Sequence, residues 1–250
     1  MNIKIPESWG IDPVSDFIQS AYQNNIATFT NFKGSSICKA IYEIDSLFRL
    51  ATNIKYRQRE RLLPNFIGRC HSAYLGGIKL STSGQIVEAY MVIRGCLENA
   101  LYALYINDDP TIDEELPERS VAWLNRGKDE ESTKRCRQIF TYRAAKDNLL
   151  KEDKTLGREA SLLYERTIEY GAHPNFYGHI TTSDVKKGGI TIQFLMPGTD
   201  AFKLCAQTAV EVGICSLRIF SRIFPDRFRS VGINKRLNKI NWEGRQVERS

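Results

Sequence analysis

The sequence predicts an all-α protein, a bundle of about six or seven helices with one β-hairpin inserted before the last long helix. Two long segments, residues 85–107 and 201–224, carry apolar residues around most of a helix circumference, which is typical of helices enclosed by their neighbours. Residues 177–196 are instead rich in β-branched and aromatic residues around a glycine turn, and this pattern predicts the hairpin.

The composition is that of an ordinary soluble globular protein. The 250 residues, 42% of them hydrophobic and 26% charged, are enough to bury a core. The formal charge is +6, of which residues 226–250 supply +4 through seven Lys/Arg against three Asp/Glu. We therefore expect one helical domain over residues 1–225 and a basic C-terminal tail over residues 226–250.

The location expected from the sequence is cytoplasmic, without membrane contact. The first residues contain no apolar run of signal-peptide length, and no uncharged stretch of about twenty residues follows. The cysteines are widely spaced and form no CxxC pair, so we interpret them as reduced core residues rather than a disulfide framework or a zinc site.

The helix boundaries follow from capping and breaking residues. Asp12 before Pro13 predicts the start of the first helix, because the carboxylate can cap it and proline is tolerated at its first position. Ser132 or Thr133 predicts another start, and Pro225 ends the last long helix. The expected helices cover approximately residues 13–30, 37–50, 65–79, 85–107, 133–146, 155–172 and 201–224, with a short helix at 121–126. A polar break at residues 81–84 predicts a tight bend, so the helices before and after it should pack antiparallel.

A basic cluster follows the second expected helix. Lys55, Arg57, Arg59 and Arg61 are diluted only by Glu60. Such a cluster is usually a solvated face, and contact with nucleic acid is the alternative.

Arg94 and Glu98 stand one turn apart on the central helix, so they share one face. On a mostly enclosed helix they must either pair or border a cleft. Two interpretations stay open, an ion pair that fixes helix register and a pocket for a small molecule.

The strongest candidate site lies at the end of the helix over residues 155–172. Arg166 and His173 are seven residues apart, two helical turns, and Glu169 is one turn before His173. A cation, an imidazole and a carboxylate at a helix end can bind a phosphodiester and move a proton near neutral pH. Tyr170 and Asn175 are the expected supporting residues.

The Arg-x6-His spacing late in a helical bundle resembles the signature of HEPN-type proteins, many of which are metal-independent ribonucleases of bacterial toxin and phage-defence systems. The segment RGCLENALYALYI, residues 94–106, is similar to helical bacterial proteins loosely associated with that group. The resemblance implies that Arg166 holds the scissile phosphate of RNA and that His173 acts as acid or base or positions the ribose. It also implies a homodimer in which the sites of two protomers meet.

A structural interpretation of the same stretch stays open. Glu169 and His173 can pair with cations on a neighbouring helix, and His173 with Pro174 and Asn175 can form a turn. The protein is then a non-catalytic adaptor or assembly subunit, and the hairpin over 177–196 and the tail over 226–250 are its contact surfaces. We interpret His71 and His179 as residues with a structural rather than a catalytic role.

Other enzyme classes lack their motifs. The sequence contains no HExxH, no paired ExxH motifs, no phosphate-binding GxxxxGK[ST] loop and no GxSxG. We therefore expect neither a cofactor nor a metal site.

Overall fold

The computed structural model describes residues 4–57, 60–110, 117–172, 183–186, 189–196 and 200–241. These residues form eleven α-helices, one π-helical turn and two short β-strands. The α-helices are α1 Pro13–Phe32, α2 Ser36–Thr52, α3 Leu63–Ser83, α4 Ile86–Asn107, α5 Glu118–Asn125, α6 Glu130–Ile139, α7 Tyr142–Glu152, α8 Lys154–Thr167, α9 Asp200–Ile223, α10 Pro225–Ser230 and α11 Ile233–Leu237.

The centre of the bundle is α4, as its apolar circumference predicts. Half of its residues are buried, and it packs most extensively against α3 and α9. Gly84 joins α3 to α4 with a left-handed backbone (φ 93°), and its N–H group bonds to the carbonyls of Leu80 and Ser81. This glycine C-cap turns the chain within a few residues, so α3 and α4 lie side by side as expected.

The second core helix, α9, buries fifteen residues. Among the described residues it is the one helix long and apolar enough to cross a membrane by length and composition, and 72% of its apolar window is buried inside the bundle. That extent of burial is typical of the core helix of a soluble protein. All six cysteines are free and buried, which confirms their interpretation as core residues.

The all-α class is confirmed, but the fold-class prediction was wrong in two respects. It counted too few helices. It also gave the bundle a β-hairpin over residues 177–196 as an element of the fold, whereas the described residues of that range hold just two four-residue strands, β1, Ser183–Lys186, and β2, Gly189–Ile192, which pair with each other. Two four-residue strands that pair with each other add no sheet layer to a helical bundle, so the protein belongs to the all-α class without the predicted hairpin as an architectural element.

The helix count was too low partly because the single helix predicted over residues 133–146 is divided into two helices, α6 and α7. The chain leaves α6 at Phe140, and Thr141 caps α7 by accepting the N–H group of Ala144 at 3.1 Å. Asp153 then separates α7 from α8 by accepting the N–H group of Leu156. The cap at Thr141 therefore divided a helix that the charge pattern left continuous, whereas the break before α8 was predicted.

The described part of the predicted tail, residues 226–241, packs on the bundle. Phe228, Ile233 and Leu237 of α10 and α11 are at most 2% exposed. Scattered apolar residues in this basic segment are spaced so that two short helices bury them. The body and the first part of the tail thus share one core.

Candidate functional site

The last turns of α8 carry Arg166 and lead into the π-helical turn Ile168–Ala172. Of α8, the side chains of Leu156, Ala160, Leu163 and Thr167 are buried at three- and four-residue spacing, which seats one face of the helix on the core. His173 and Asn175, as well as His179, lie outside the residues that the structure describes.

Arg166 is paired. Its guanidinium donates to the carboxylate of Glu211 on α9, and the side chains are 29% and 21% exposed. A phosphate at Arg166 would therefore compete with a carboxylate that already neutralises the charge.

The pair is one of three that join α8, including its N-cap residue Asp153, to α9: Asp153–Arg222, Glu159–Arg218 and Arg166–Glu211. They occur about every two turns along α8 and run in the opposite direction along α9. Arg218 contacts both oxygens of Glu159, at 3.0 and 3.1 Å. The ladder holds α8 antiparallel to α9, so Arg166 has a structural role whatever else it does.

The residues predicted to support the site, Glu169 and Tyr170, lie in different surroundings. Glu169 is exposed to solvent. Tyr170 stacks on Tyr90 of α4, with ring centroids 5.3 Å apart and planes 25° apart. Gly171 lies so close to α4 that an added Cβ would fall 2.5 Å from the Cβ of Tyr90. Tyr170 and Gly171 therefore fasten the π-helical turn to the central helix.

Arg94 and Glu98 form the ion pair that one interpretation predicts. Arg94 Nε lies 3.4 Å from Glu98 Oε1 without forming a hydrogen bond, and about a third of each side chain is exposed. Burial raises the pKa of Glu98, while the charge of Arg94 and a hydrogen bond with Tyr164 of α8 act in the opposite direction. Burial and the Glu98 carboxylate in turn raise the pKa of Tyr164 to about 12. The pair thus belongs to a polar contact between α4 and α8.

The positive charge of the protein is concentrated in a region other than the predicted Arg166 site. Arg227 of α10 donates two hydrogen bonds to Glu60, at 2.7 and 2.8 Å, and the backbone N–H group of Arg57 donates to the same carboxylate at 2.7 Å. Arg236 of α11 makes a similar double contact with Glu43 of α2, at 2.7 and 2.8 Å. These contacts place the segment after α2 beside the C-terminal helices.

We call this region the basic end and define it by the described residues 55–57, 60–61 and 225–241. It contains eight Lys/Arg and two Asp/Glu, an excess of six that equals the formal charge of the whole chain. A cavity of about 300 Å³ opens there, with Arg57, Glu60, Phe224 and Arg227 among its lining residues. Six cations of the basic end are exposed: Lys55, Arg57, Arg61, Arg229, Lys235 and Lys239.

Both basic segments could be identified from the sequence, but their proximity in the folded protein could not. Opposite charges 167 positions apart cannot be matched from one sequence.

Within the described ranges, no group of three or more His, Cys, Asp or Glu residues is arranged to hold a metal ion. Comparisons of the chain with models of protein families, with curated proteins and with solved structures gave no match.

Proposed function

We propose that this protein binds RNA through the basic end, as a cytoplasmic, HEPN-like component of a bacterial stress or defence system. The observation that carries the proposal is the convergence of two basic segments, one after α2 and one at the C-terminus. Clustering on one part of the molecule is what distinguishes a nucleic-acid surface from a merely basic composition.

Two acids hold the inner arginines of the basic end in place: Glu60 binds Arg227, and Glu43 of α2 binds Arg236. Of the exposed cations, Arg229 lies 3.5 Å from Asp226. The other exposed lysines and arginines of the basic end stay available to phosphates. Arginine and lysine contacts to the RNA backbone release counterions, so binding should weaken steeply with salt.

RNA cleavage at Arg166 and His173 is the finer form of the proposal. Arg166 would hold the scissile phosphate, His173 would transfer a proton, and the RNA 2′-hydroxyl would attack the phosphorus with release of the 5′-oxygen. Glu169, on the solvent side of the π-helical turn, is free to face the same substrate. The Glu211 carboxylate must then release or share Arg166 when RNA binds.

The binding test compares two triple variants that each lose three positive charges. Arg57→Gln/Arg61→Gln/Lys239→Gln changes the basic end, and Lys128→Gln/Lys134→Gln/Arg137→Gln changes exposed cations in and before α6. Anisotropy of a labelled single-stranded RNA is followed across a salt series. We expect the first variant to bind at least about tenfold more weakly, with a salt slope lower by about two, at roughly 0.7 per lost phosphate contact.

The control variant should bind like the wild-type protein. Equal losses in both variants would show that only net charge matters, and no binding by the wild-type protein would remove the proposal.

The cleavage test incubates wild-type protein, Arg166→Ala and His173→Ala with mixed RNA in a chelator. Metal-independent cuts with cyclic phosphate ends, lost in both variants, would support the ribonuclease. Because Arg166 belongs to the ladder, Glu211→Ala serves as the matched control for destabilisation. Loss in all three variants would indicate a structural cause, and absence of cuts by the wild-type protein would favour the adaptor.

The adaptor remains the second candidate, and α1 favours it. This helix exposes a row of apolar side chains. The tail proposed as a contact surface is, over residues 226–241, already engaged with the bundle, so α1 is the better contact surface for a partner.

A further inference from the structure

Helix α1 packs on the bundle through a mostly polar side, with Phe32 at its end packed against Phe202 of α9, ring centroids 4.9 Å apart. Its two buried residues are Ser15 and Thr28, and Asn24 donates to the backbone carbonyl of Ser83 at 3.0 Å. A surface helix of a monomer normally does the opposite and turns its apolar stripe inward.

The apolar side of α1 faces away from the bundle. Its members, which we call the α1 row, are 36–69% exposed: Val14, Ile18, Tyr22, Ile26 and Phe29. Spacings of four, four, four and three residues place them along one face, over a length of about 22 Å. Isolated exposed apolar residues are ordinary, whereas a continuous row of this length marks a contact surface.

The scarcity of charged residues on α1 indicates which class of partner binds the α1 row. Asp16 is the single charged residue in its twenty positions. Helices that lie on membranes carry Lys and Arg beside their apolar face, and nucleic-acid surfaces need cations. Depletion of charge around apolar and aromatic side chains is typical of the core of a protein interface.

The row is nearly symmetric about its centre. Ile18 and Ile26 stand four residues on either side of Tyr22, Val14 stands eight residues before it, and Phe29 stands seven after it. A two-fold interface requires a surface that is complementary to itself. We infer that a second copy of this chain docks on the α1 row, with the two α1 helices antiparallel and the two-fold axis at Tyr22.

The exposed apolar area approaches that of a standard interface. Tyr42 of α2 is 47% exposed and lies beside Phe29, with ring centroids 6.3 Å apart, so it extends the row. With roughly 150–250 Å² for a large side chain, the exposed fractions of the row and Tyr42 correspond to about 460–770 Å² per copy. A standard interface buries about 800 Å² per partner.

Sedimentation of the full-length protein at micromolar concentration tests the inference. The wild-type protein should have twice the chain mass of 28.6 kDa. Tyr22→Glu should sediment as a monomer with unchanged helical circular dichroism, because it places two carboxylates against each other at the axis. Gln23→Glu, which adds the same charge on the neighbouring exposed position, should remain dimeric.

Tyr22→Cys gives a second readout that does not require a destabilised interface. Mild oxidation should link two copies through this residue, whereas Gln23→Cys should link far less. The native cysteines are buried and do not compete in the folded protein. A monomeric wild-type protein, a dimeric Tyr22→Glu variant, or equal crosslinking of both cysteine variants would overturn the inference. Binding of neutral lipid vesicles by the wild-type protein, lost in Tyr22→Glu, would assign the row to a lipid surface and overturn it as well.

Discussion

Glu60 and Arg227 are 167 positions apart in the sequence, and two hydrogen bonds of 2.7 and 2.8 Å join the carboxylate to the guanidinium. The side chains are only 12% and 26% exposed. The pair fastens the start of α10 to the segment between α2 and α3. Together with the Arg236–Glu43 pair, it therefore holds the two basic segments on one surface.

Replacement of Glu60 by glutamine should lower the free energy of unfolding by about 1–2 kcal/mol, because a two-point charge-assisted contact is lost in a partly buried place. Urea unfolding followed by circular dichroism measures the change. The matched control is Glu118→Gln, which removes an exposed pair with Arg135 and should cost less than about 0.5 kcal/mol. Equal effects of the two substitutions would contradict the expectation.

The contribution of Glu60 should depend on pH. Burial acts to raise its pKa, but the hydrogen bonds from Arg227 and Arg57 outweigh it, and the pKa lies below its ordinary value of 4.5. A carboxyl whose pKa is lower in the folded state stabilises the fold above its unfolded pKa, and this stabilisation is lost as the pH falls through the folded pKa. The difference between wild-type protein and Glu60→Gln should thus be largest near neutral pH and shrink below pH 4.5. A difference that stays constant into acid would show that the charge is not the cause.

Gly171 should not tolerate a side chain. An added Cβ would lie 2.5 Å from the Cβ of Tyr90 and 2.6 Å from the carbonyl oxygen of Val87, so the π-helical turn would have to move away from α4. We expect Gly171→Ala to destabilise the protein by about 1–3 kcal/mol.

Gly68→Ala is the control for that substitution. Gly68 lies in α3 with no heavy atom within 4 Å of its added Cβ, so alanine should be neutral or should stabilise the helix by up to about 1 kcal/mol. Thermal unfolding of both variants measures the contrast. Similar midpoints for the two would mean that the close approach of Gly171 to α4 is absent in solution.

Arg166 and Glu211 should be coupled in a double-mutant cycle. Single alanine variants each break the pair, while the double variant loses nothing further from it, so we expect a coupling energy on the order of 1 kcal/mol for side chains that are mostly buried. Chemical unfolding of the four proteins gives this value. Simple additivity would show that the ladder does not include this pair, which would leave Arg166 available to a phosphate.

Hydrophobic periodicity was sufficient to predict the core helices but not the boundaries of the surface elements. α4 and α9 are apolar on most sides, so any compact packing encloses them, and their positions were predicted to within one or two residues. The break between α6 and α7 was missed because Thr141 competes locally with a helix that the surrounding residues also favour. The hairpin was predicted as an element of the fold because β-branched residues favour strands locally, whereas the weight of an element in the architecture depends on what it packs against.

At the candidate site too, spacing within one helix could be predicted from the sequence, whereas contacts between helices could not. The two-turn spacing of Arg166 and His173 was read from the sequence, and catalysis by them stays a prediction. The partner of Arg166 was not readable, because Glu211 lies on another helix, 45 positions away. The pairing of Arg94 with Glu98 was foreseen as one of two possibilities, since both residues are on one helix.

The sequence by itself determined the helical class, the two core helices, the glycine turn between α3 and α4 and the cap of α1, because these depend on residues within a few positions of one another. Only the tertiary structure decided that Arg166 faces Glu211, that the two basic segments meet through Glu60, and that α1 turns its polar side inward. Each of these depends on which faces of distant helices come together. That choice is made by burial of the whole core, and no local spacing records it.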